Sequence, residues 1–183
     1  MKKTVETVVK EVDQVLKSSL EGNDFDELAG RIKKAKRLFI AGEGRSGLVG
    51  KMIAMRLMHG GYEVYVTGET ITPSITDGDL LMVLSGSGKT GNLVAMAETA
   101  GKTGAQIVSF TTDSTSSAAE KSDQVITIPA ATKYRRAEEP KTIQPLGNQF
   151  DQSLHLLLDA FIIYLEGSNG ENSDWKNRHA NLE

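Results

Sequence analysis

Cysteine is absent from the 183 residues of this sequence, and histidine occurs only three times. Without cysteine there are no disulfide bonds, thiolate nucleophiles or cysteine-ligated metal sites. Such a composition is typical of a reducing compartment, so we expect a cytoplasmic protein. A histidine-rich metal site would require His59, His155 and His179 to converge.

Long apolar runs are also missing. The longest uninterrupted one, Ala160 to Leu165, is far shorter than the ~20 residues that span a bilayer. Glu6 and Lys10 interrupt the first valines, so the start of the chain does not match a signal peptide. The 21 basic and 24 acidic side chains give a formal net charge of −3 with no basic block. We therefore expect neither a membrane protein nor a nucleic-acid-binding protein.

The residues that are present indicate a single globular domain over 1–183. Apolar residues make up 39% of the chain and charged residues 25%, and a chain of this length buries roughly 70% of its unfolded surface. Apolar positions at helical spacing predict two helices within 1–35. We expect the sheet core and the last helix within 36–166, and a polar tail without regular structure over 167–183.

Five short apolar runs alternate with helix-forming stretches through the middle of the chain. The runs are 37–41, 62–66, 80–84, 105–110 and 124–128, and the helical stretches are 46–59, 90–102 and 115–121. Most runs lack polar alternation, as strands covered on both faces do. The alternation indicates βαβ units around a parallel sheet, hence an α/β fold. A surface loop follows Pro129, and a long helix is predicted to begin at Pro145.

A glycine-rich loop, GEGRSG at 42–47, joins the first predicted strand to the next helix. It fits the G-x-G-x-x-G pattern of dinucleotide sites, whose acidic partner about 20 residues later would be Glu63 or Glu69. Glu63 opens the second strand, whereas the ribose-binding carboxylate belongs at its far end, and Glu69 lies slightly beyond that strand. A dinucleotide site is therefore one alternative, which the second loop weakens.

The second glycine-rich loop is SGSGKT at 85–90, and its end imitates a P-loop. The first glycine of that motif would fall at Val83, inside a strand, so the cradle of an NTPase cannot form. The loop suits a single phosphate group better, at the amino terminus of the following helix. The donors would be the hydroxyls of Ser85, Ser87, Thr90 and, from the first loop, Ser46, with main-chain N–H groups at Gly86 and Gly88. Ordinary turns with helix-capping hydroxyls are the alternative.

These loops and four further segments resemble the sugar isomerase (SIS) domain family, and within it the 6-phospho-3-hexuloisomerases. The similar segments are GEGRSG (42–47), MRLMH (55–59), TGETITPSI (67–75), SGSGKT (85–90), KTIQPLG (141–147) and RHANLE (178–183). The resemblance implies a three-layer αβα sandwich with a five-stranded parallel sheet, no cofactor, and a homo-oligomer, dimer or tetramer. It also implies interconversion of D-arabino-hex-3-ulose 6-phosphate and D-fructose 6-phosphate, in the ribulose monophosphate pathway of formaldehyde fixation.

The resemblance further implies that Ser46 and the 85–90 loop, Lys89 included, bind the substrate phosphate. The proton acceptor of the family is a glutamate that follows a phenylalanine near the start of the last long helix. The matching position here holds Asp151, after Phe150. Aspartate is shorter by one C–C bond, about 1.5 Å. Either the helix lies closer to the substrate, therefore, or another group takes the proton.

Such a reaction moves a carbonyl from C3 to C2 through an enediol, and one carboxylate can remove the proton at C2 and deliver it at C3. Asp151 is the first candidate, with a pKa that we expect to be raised in a closed, anionic pocket. The alternative is a surface aspartate in a first helical turn.

His59 is the second catalytic candidate. It would help to open the sugar ring or form a hydrogen bond with the enediol oxygen. Its alternative role is a histidine at a helix C-terminus.

Four residues outside the phosphate loop complete the predicted substrate site: Gly44, Arg45, Glu69 and His179. Arg45 would neutralise the enediolate or the phosphate, unless it is merely a solvated loop arginine. Glu69 lies on a loop that could close over the sugar, and His179 belongs to a tail that the resemblance suggests docks over a neighbouring subunit's pocket.

Two further functions stay open. One is a non-catalytic sugar-phosphate-sensing module, like the SIS modules of transcription regulators, although the sequence carries no attached DNA-binding segment. The other is an isomerase of a different phosphosugar.

A metal site is not expected on the last helix. Asp151, His155 and Asp159 are spaced i, i+4 and i+8 there, but no second pair of ligands accompanies them.

Overall fold

A five-stranded parallel sheet forms the centre of the protein in the computed structural model, which describes residues 1–167 and 172–182. The strands are β1 (Leu38–Gly42), β2 (Val64–Val66), β3 (Leu80–Leu84), β4 (Gln106–Thr111) and β5 (Gln124–Thr127). Their order is β2-β1-β3-β4-β5, and every neighbouring pair is parallel. The predicted α/β fold with five parallel strands is confirmed. The observed strands begin and end within two residues of the predicted apolar runs.

Six helices occur in the described residues. They are α1 (Lys2–Glu21), α2 (Phe25–Lys34), α3 (Gly44–His59), α4 (Gly91–Lys102), α5 (Asn148–Glu166) and α6 (Asn172–Arg178). None of the helices within 1–167 and 172–182 is both long and apolar enough to cross a membrane.

Three local predictions were wrong. The stretch 115–121 forms only a 3₁₀ turn, Ala119–Lys121, because its polar side chains bond locally, as Thr115 does with Asp113. The last long helix begins at Asn148 rather than Pro145, since Leu146 has a φ of 51° and cannot be helical. The tail contains α6, whose Trp175 packs against the core. Residues 168–171 and 183 of that predicted tail lie outside the described residues.

The sheet separates two apolar layers, as expected of a three-layer sandwich. Alternate residues of β1 face opposite sides: Leu38 and Ile40 pack with α2, α3 and α5, whereas Phe39 and Ala41 pack with α4. This alternation follows from the two-residue period of a strand. Helix α1 contributes Val15 to the larger layer. Both faces of the central strands are thereby buried, which agrees with their continuous apolar sequences.

The segment between β5 and α5, residues 128–147, contains no helix or strand, so the loop predicted after Pro129 extends past Pro145. A carboxylate of α1 nevertheless anchors it. Glu11 accepts hydrogen bonds from the Thr142 hydroxyl (2.6 Å), the Ile143 N–H (2.9 Å) and the Gln144 side chain (3.0 Å). Burial alone would raise the pKa of Glu11, but these bonds outweigh it and lower the pKa. We call residues 128–147 the β5–α5 segment.

The buried face of α5 allows a matched test of the core. Leu154 is fully buried, whereas Leu156 on the same helix is 48% exposed. Leu154→Ala should reduce the free energy of unfolding by roughly 2–5 kcal/mol, because it removes buried methyl groups and leaves a cavity. Leu156→Ala should cost less than about 1 kcal/mol. Urea denaturation of both variants measures the difference, and equal losses would contradict this packing of α5.

Candidate active site

The two glycine-rich loops meet at one edge of the sheet. β1 and β3 pair in parallel, with Gly42 opposite Leu84, so the chain leaves both strands at the same level. The first loop leads into α3 and the second into α4. This is the edge at which parallel α/β sheets bind ligands.

The 85–90 loop has a shape that only glycine permits at one position. Gly88 has a φ of +61°, and a Cβ there would lie 1.9 Å from the Ser116 hydroxyl oxygen. The Ser85 hydroxyl accepts the Gly88 N–H (3.2 Å), and the Ser87 hydroxyl accepts the Lys89 N–H (3.2 Å). The loop therefore forms a compact turn directly before the amino terminus of α4, where an anion is stabilised.

Asp151 lies in the first turn of α5 and is only 7% exposed. The Ser46 hydroxyl donates to its Oδ1 at 2.7 Å, and the Arg45 Nε donates to its Oδ2 at 3.3 Å. Burial raises the pKa of Asp151, while Ser46 and Arg45 oppose the rise because they stabilise the carboxylate. The shift has the direction expected for a group that both takes and returns a proton.

A cavity of about 250 Å³ connects Asp151 with the 85–90 loop. It is lined by Glu43, Ser46, Gly86, Ser87, Thr132, Lys133, Tyr134, Leu146, Gly147, Phe150 and Asp151. Cavities for drug-sized ligands measure about 300–1,000 Å³, so this one suits a small metabolite. Larger grooves, of about 770 Å³ beside α1, α2 and α5 and about 400 Å³ beside α4, contain none of the predicted site residues.

The structure brings part of the predicted binding set to this cavity. Ser46, Gly86 and Ser87 line it together with Asp151. Four further predicted residues belong to the same loop without lining the cavity: Ser85, Gly88, Lys89 and Thr90. The Lys89 ammonium lies 3.5 Å from Asp113.

The first loop supplies the other two predicted residues of this region. Gly44 begins α3 with a φ of +55°. Arg45 donates to the Asn148 side chain (2.7 Å) as well as to Asp151. Its side chain is 64% exposed and does not line the cavity, but the two hydrogen bonds show that Arg45 is not merely a solvated loop residue.

His59, Glu69 and His179 are not brought to the cavity of the same chain. His59 follows Ser46 by thirteen residues on α3, which corresponds to about 20 Å along a helix. It is buried, its ring stacks on His179 at 5.3 Å, and burial lowers its pKa. Glu69 is instead paired with Lys51 at 2.6 Å. Within one chain, therefore, none of these three residues lines the cavity with Asp151, and their catalytic and binding roles stay predictions.

The tail that carries His179 packs on its own chain. An Arg178 N–H donates to the His59 carbonyl at 2.9 Å, at the carboxyl end of α3. The predicted contact of this tail with a neighbouring subunit's pocket stays a prediction.

Sequence reasoning missed most of the cavity residues, among them Thr132, Lys133 and Tyr134 of the β5–α5 segment. The Lys133 ammonium lies 5.2 Å from the centre of the Tyr134 ring, within the range of a cation–π contact. The available signal was their position just after the carboxyl end of a parallel strand. Glu43, inside the GEGRSG motif, also lines the cavity and was not predicted.

Neither a dinucleotide site nor a metal site finds support among the described residues. Glu63 precedes β2 and accepts a bond from the Tyr65 hydroxyl (2.9 Å), and Glu69 is held by Lys51. His155 pairs with Asp159 at 3.1 Å on α5. Within 1–167 and 172–182, no three histidine or carboxylate side chains cluster as metal ligands would.

Comparison with known proteins agrees with this architecture. The sequence model of the SIS domain matches residues 31–144. A protein of Bacillus subtilis named 3-hexulose-6-phosphate isomerase is 37% identical over 99% of this chain and 100% of its own length. A protein of the same name from Mycobacterium gastri is 46% identical over 85% of this chain and 78% of its own.

A solved structure shows the same fold. The crystal structure of a hypothetical protein from Methanococcus jannaschii, for which a function of 3-hexulose-6-phosphate isomerase has been inferred, superposes with a TM-score of 0.86. It is 31% identical and covers 99% of both chains. With a matching domain model and relatives of this similarity over most of their own length, the chain belongs to the SIS domain family of sugar-phosphate proteins.

Proposed function

We propose that the protein is a 3-hexulose-6-phosphate isomerase that interconverts D-arabino-hex-3-ulose 6-phosphate and D-fructose 6-phosphate. The observation that carries the proposal is the cavity in which a buried carboxylate, Asp151, faces a phosphate-type loop, residues 85–90. The name shared by the Bacillus and Mycobacterium relatives supports the choice of substrate. That reaction belongs to the ribulose monophosphate route of formaldehyde fixation.

The substrate phosphate would bind at the 85–90 loop. The Ser87 side chain and Gly86 line the cavity there, and the dipole of α4 favours an anion at its amino terminus. Lys89 is drawn towards Asp113, so it would contribute positive charge to the loop rather than a direct contact. The sugar carbons would then extend towards Asp151.

Asp151 would move the proton. It would remove hydrogen from C2 of the hexulose and deliver it to C3, while the hydroxyl proton of C2 is lost and the C3 oxygen gains one. The hydrogen bond from Ser46 would hold the Asp151 carboxylate at the cavity wall. The Arg45 guanidinium, beside the same carboxylate, would stabilise the negative charge of the enediolate.

The direct test is isomerisation itself. Purified protein is incubated with enzymatically generated hexulose 6-phosphate, and the appearance of fructose 6-phosphate is followed by a coupled assay. Competing aldose and ketose phosphates in the same assay distinguish an isomerase of another phosphosugar. Binding of fructose 6-phosphate without turnover of any of them would instead identify a sensor module.

A homo-oligomer remains part of the proposal. Several large apolar side chains of α3 and α5 are exposed in the single chain, namely Leu48, Met55, Met58 and Ile163. Self-association would cover them.

A cytoplasmic location of the protein also stays a prediction, which rests on the absence of cysteine.

Gly88 tests phosphate binding. Gly88→Ala should lower the affinity for fructose 6-phosphate at least about tenfold, because a Cβ at this positive φ collides with Ser116. Gly101→Ala near the end of α4, where a Cβ meets only ordinary contacts, is the control and should bind normally. Titration calorimetry measures both. Unchanged binding by Gly88→Ala would show that the loop is merely a turn.

Asp151 tests the proton transfer. Asp151→Asn keeps the size of the side chain and its acceptor for Ser46, but it removes the base, so kcat should fall about 10²–10⁴-fold. Asp159→Asn, on the same helix and paired with His155, should leave kcat near the parent value. Steady-state kinetics on hexulose 6-phosphate decide the matter. Full turnover by the asparagine variant would require a different base.

The Ser46 hydrogen bond predicts a change in pH dependence. Because the hydroxyl stabilises the Asp151 carboxylate, Ser46→Ala should raise the pKa of Asp151 further. The base is active when deprotonated, so the acidic limb of the kcat/KM profile should move to higher pH. Ser87→Ala should raise KM and leave the limb in place, since its hydroxyl bonds the Lys89 N–H. A limb that stays fixed in Ser46→Ala would remove Asp151 as the titrating group.

A further inference from the structure

Two residues of the β5–α5 segment have backbone conformations that side chains other than glycine rarely adopt. Arg135 has a φ of 50° and Leu146 a φ of 51°. Such conformations persist only where surrounding contacts hold them. Leu146 lines the cavity and immediately precedes the turn that starts α5, where Asp151 lies.

A single guanidinium supplies those contacts. One Nη of Arg135 donates to the carbonyls of Thr132 and Leu146, the latter at 2.8 Å, and the other Nη donates to the carbonyl of Gln144 at 2.5 Å. Thr132 and Leu146 both line the cavity. Arg135 therefore cross-links the two ends of the segment that forms this wall.

The cross-link leads directly to Asp151. The Asn148 N–H bonds the Pro145 carbonyl (3.0 Å), and the Asp151 N–H bonds the Gly147 carbonyl (3.0 Å). Residues 144–147 thus connect the carbonyls held by Arg135 with the first turn of α5. A shift of this strained turn would move the Asp151 carboxylate relative to Ser46 and to the 85–90 loop.

We propose that Arg135 is a positioning residue for the reaction, an inference that rests on the proposed isomerase function. Its side chain is absent from the cavity lining, so it acts through the main chain and not on the substrate. It holds the wall formed by Thr132 and Leu146 closed, and it keeps Asp151 aligned with the phosphate loop. A glutamate elsewhere in the β5–α5 segment reinforces this hold, since Glu139 accepts from both the N–H and the hydroxyl of Thr132.

The chemistry requires arginine. The guanidinium is planar and presents five donors in a fixed fork, which lets one side chain reach three carbonyls, whereas the compact ammonium of lysine cannot span them. Arg135→Lys should therefore behave like Arg135→Gln, although it keeps the charge. The comparison of the two variants therefore distinguishes a positioning role of Arg135 from a purely electrostatic effect of its charge on the anionic substrate.

The test compares Arg135→Gln and Arg135→Lys with Arg31→Gln. Arg31 bonds Glu27 and the Asp123 carbonyl and does not line the cavity, so it serves as the control for loss of an arginine outside the site. In both Arg135 variants kcat should fall at least about tenfold, since small misplacements of a catalytic group are costly. Affinity for inorganic phosphate should stay close to that of the parent protein, because the 85–90 loop is untouched.

A second measurement does not depend on activity. Trypsin cleavage after Lys133, Arg136 and Lys141, followed by mass spectrometry, should be markedly faster in both Arg135 variants than in the parent protein and in Arg31→Gln. If the parent protein does not isomerise hexulose 6-phosphate, the proposed function fails, while faster cleavage still supports the cross-link.

Three results would overturn the inference. They are a kcat of both Arg135 variants near the parent value, cleavage as slow as in the parent protein, or full rescue by lysine. An equal loss of kcat and phosphate affinity would also overturn it, since that pattern indicates a general loss of folded protein. A fall in kcat alone, together with an opened segment, is the expected outcome.

Discussion

The parallel pairing of β1 with β3 is the constraint on which the site depends. Because Gly42 and Leu84 are neighbours, the loops that follow them emerge side by side, and one supplies Ser46 while the other supplies Ser87. α5 then crosses this edge and adds Asp151, whose carboxylate bonds Ser46. A different strand order would separate these groups even with the same local sequences. The chemistry proposed for the cavity is therefore a property of sheet topology first and of individual side chains second.

Much of this arrangement could be predicted from the sequence. The strands were found because each is a short apolar run buried on both faces, as Leu80–Leu84 is, and the loops because glycine and hydroxyl residues follow such runs. Asp151 came from its resemblance to a family motif. Without that resemblance, an aspartate in the first turn of a helix would fit a surface residue equally well.

The rest could not be predicted, because it depends on contacts between distant parts of the chain. The wrong start of α5 arose from Leu146, whose backbone conformation is held by Arg135 and carries no sequence signature. That His59 lies at the far end of α3 from Ser46 likewise follows from where the helix ends, which no motif specifies. Thr132, Lys133 and Tyr134 have no motif at all, and only their place after β5 brings them to the cavity.

The bonds of Glu11 have a consequence for tolerance to acid. This carboxylate of α1 holds residues 142–144, which continue into the wall of the cavity. Because its pKa is lowered in the folded protein, its stabilising effect is complete above the unfolded value, about 4.3. That effect is lost as the pH falls through the lower folded value. Strong acid should accordingly detach the rim of the cavity from the first helix.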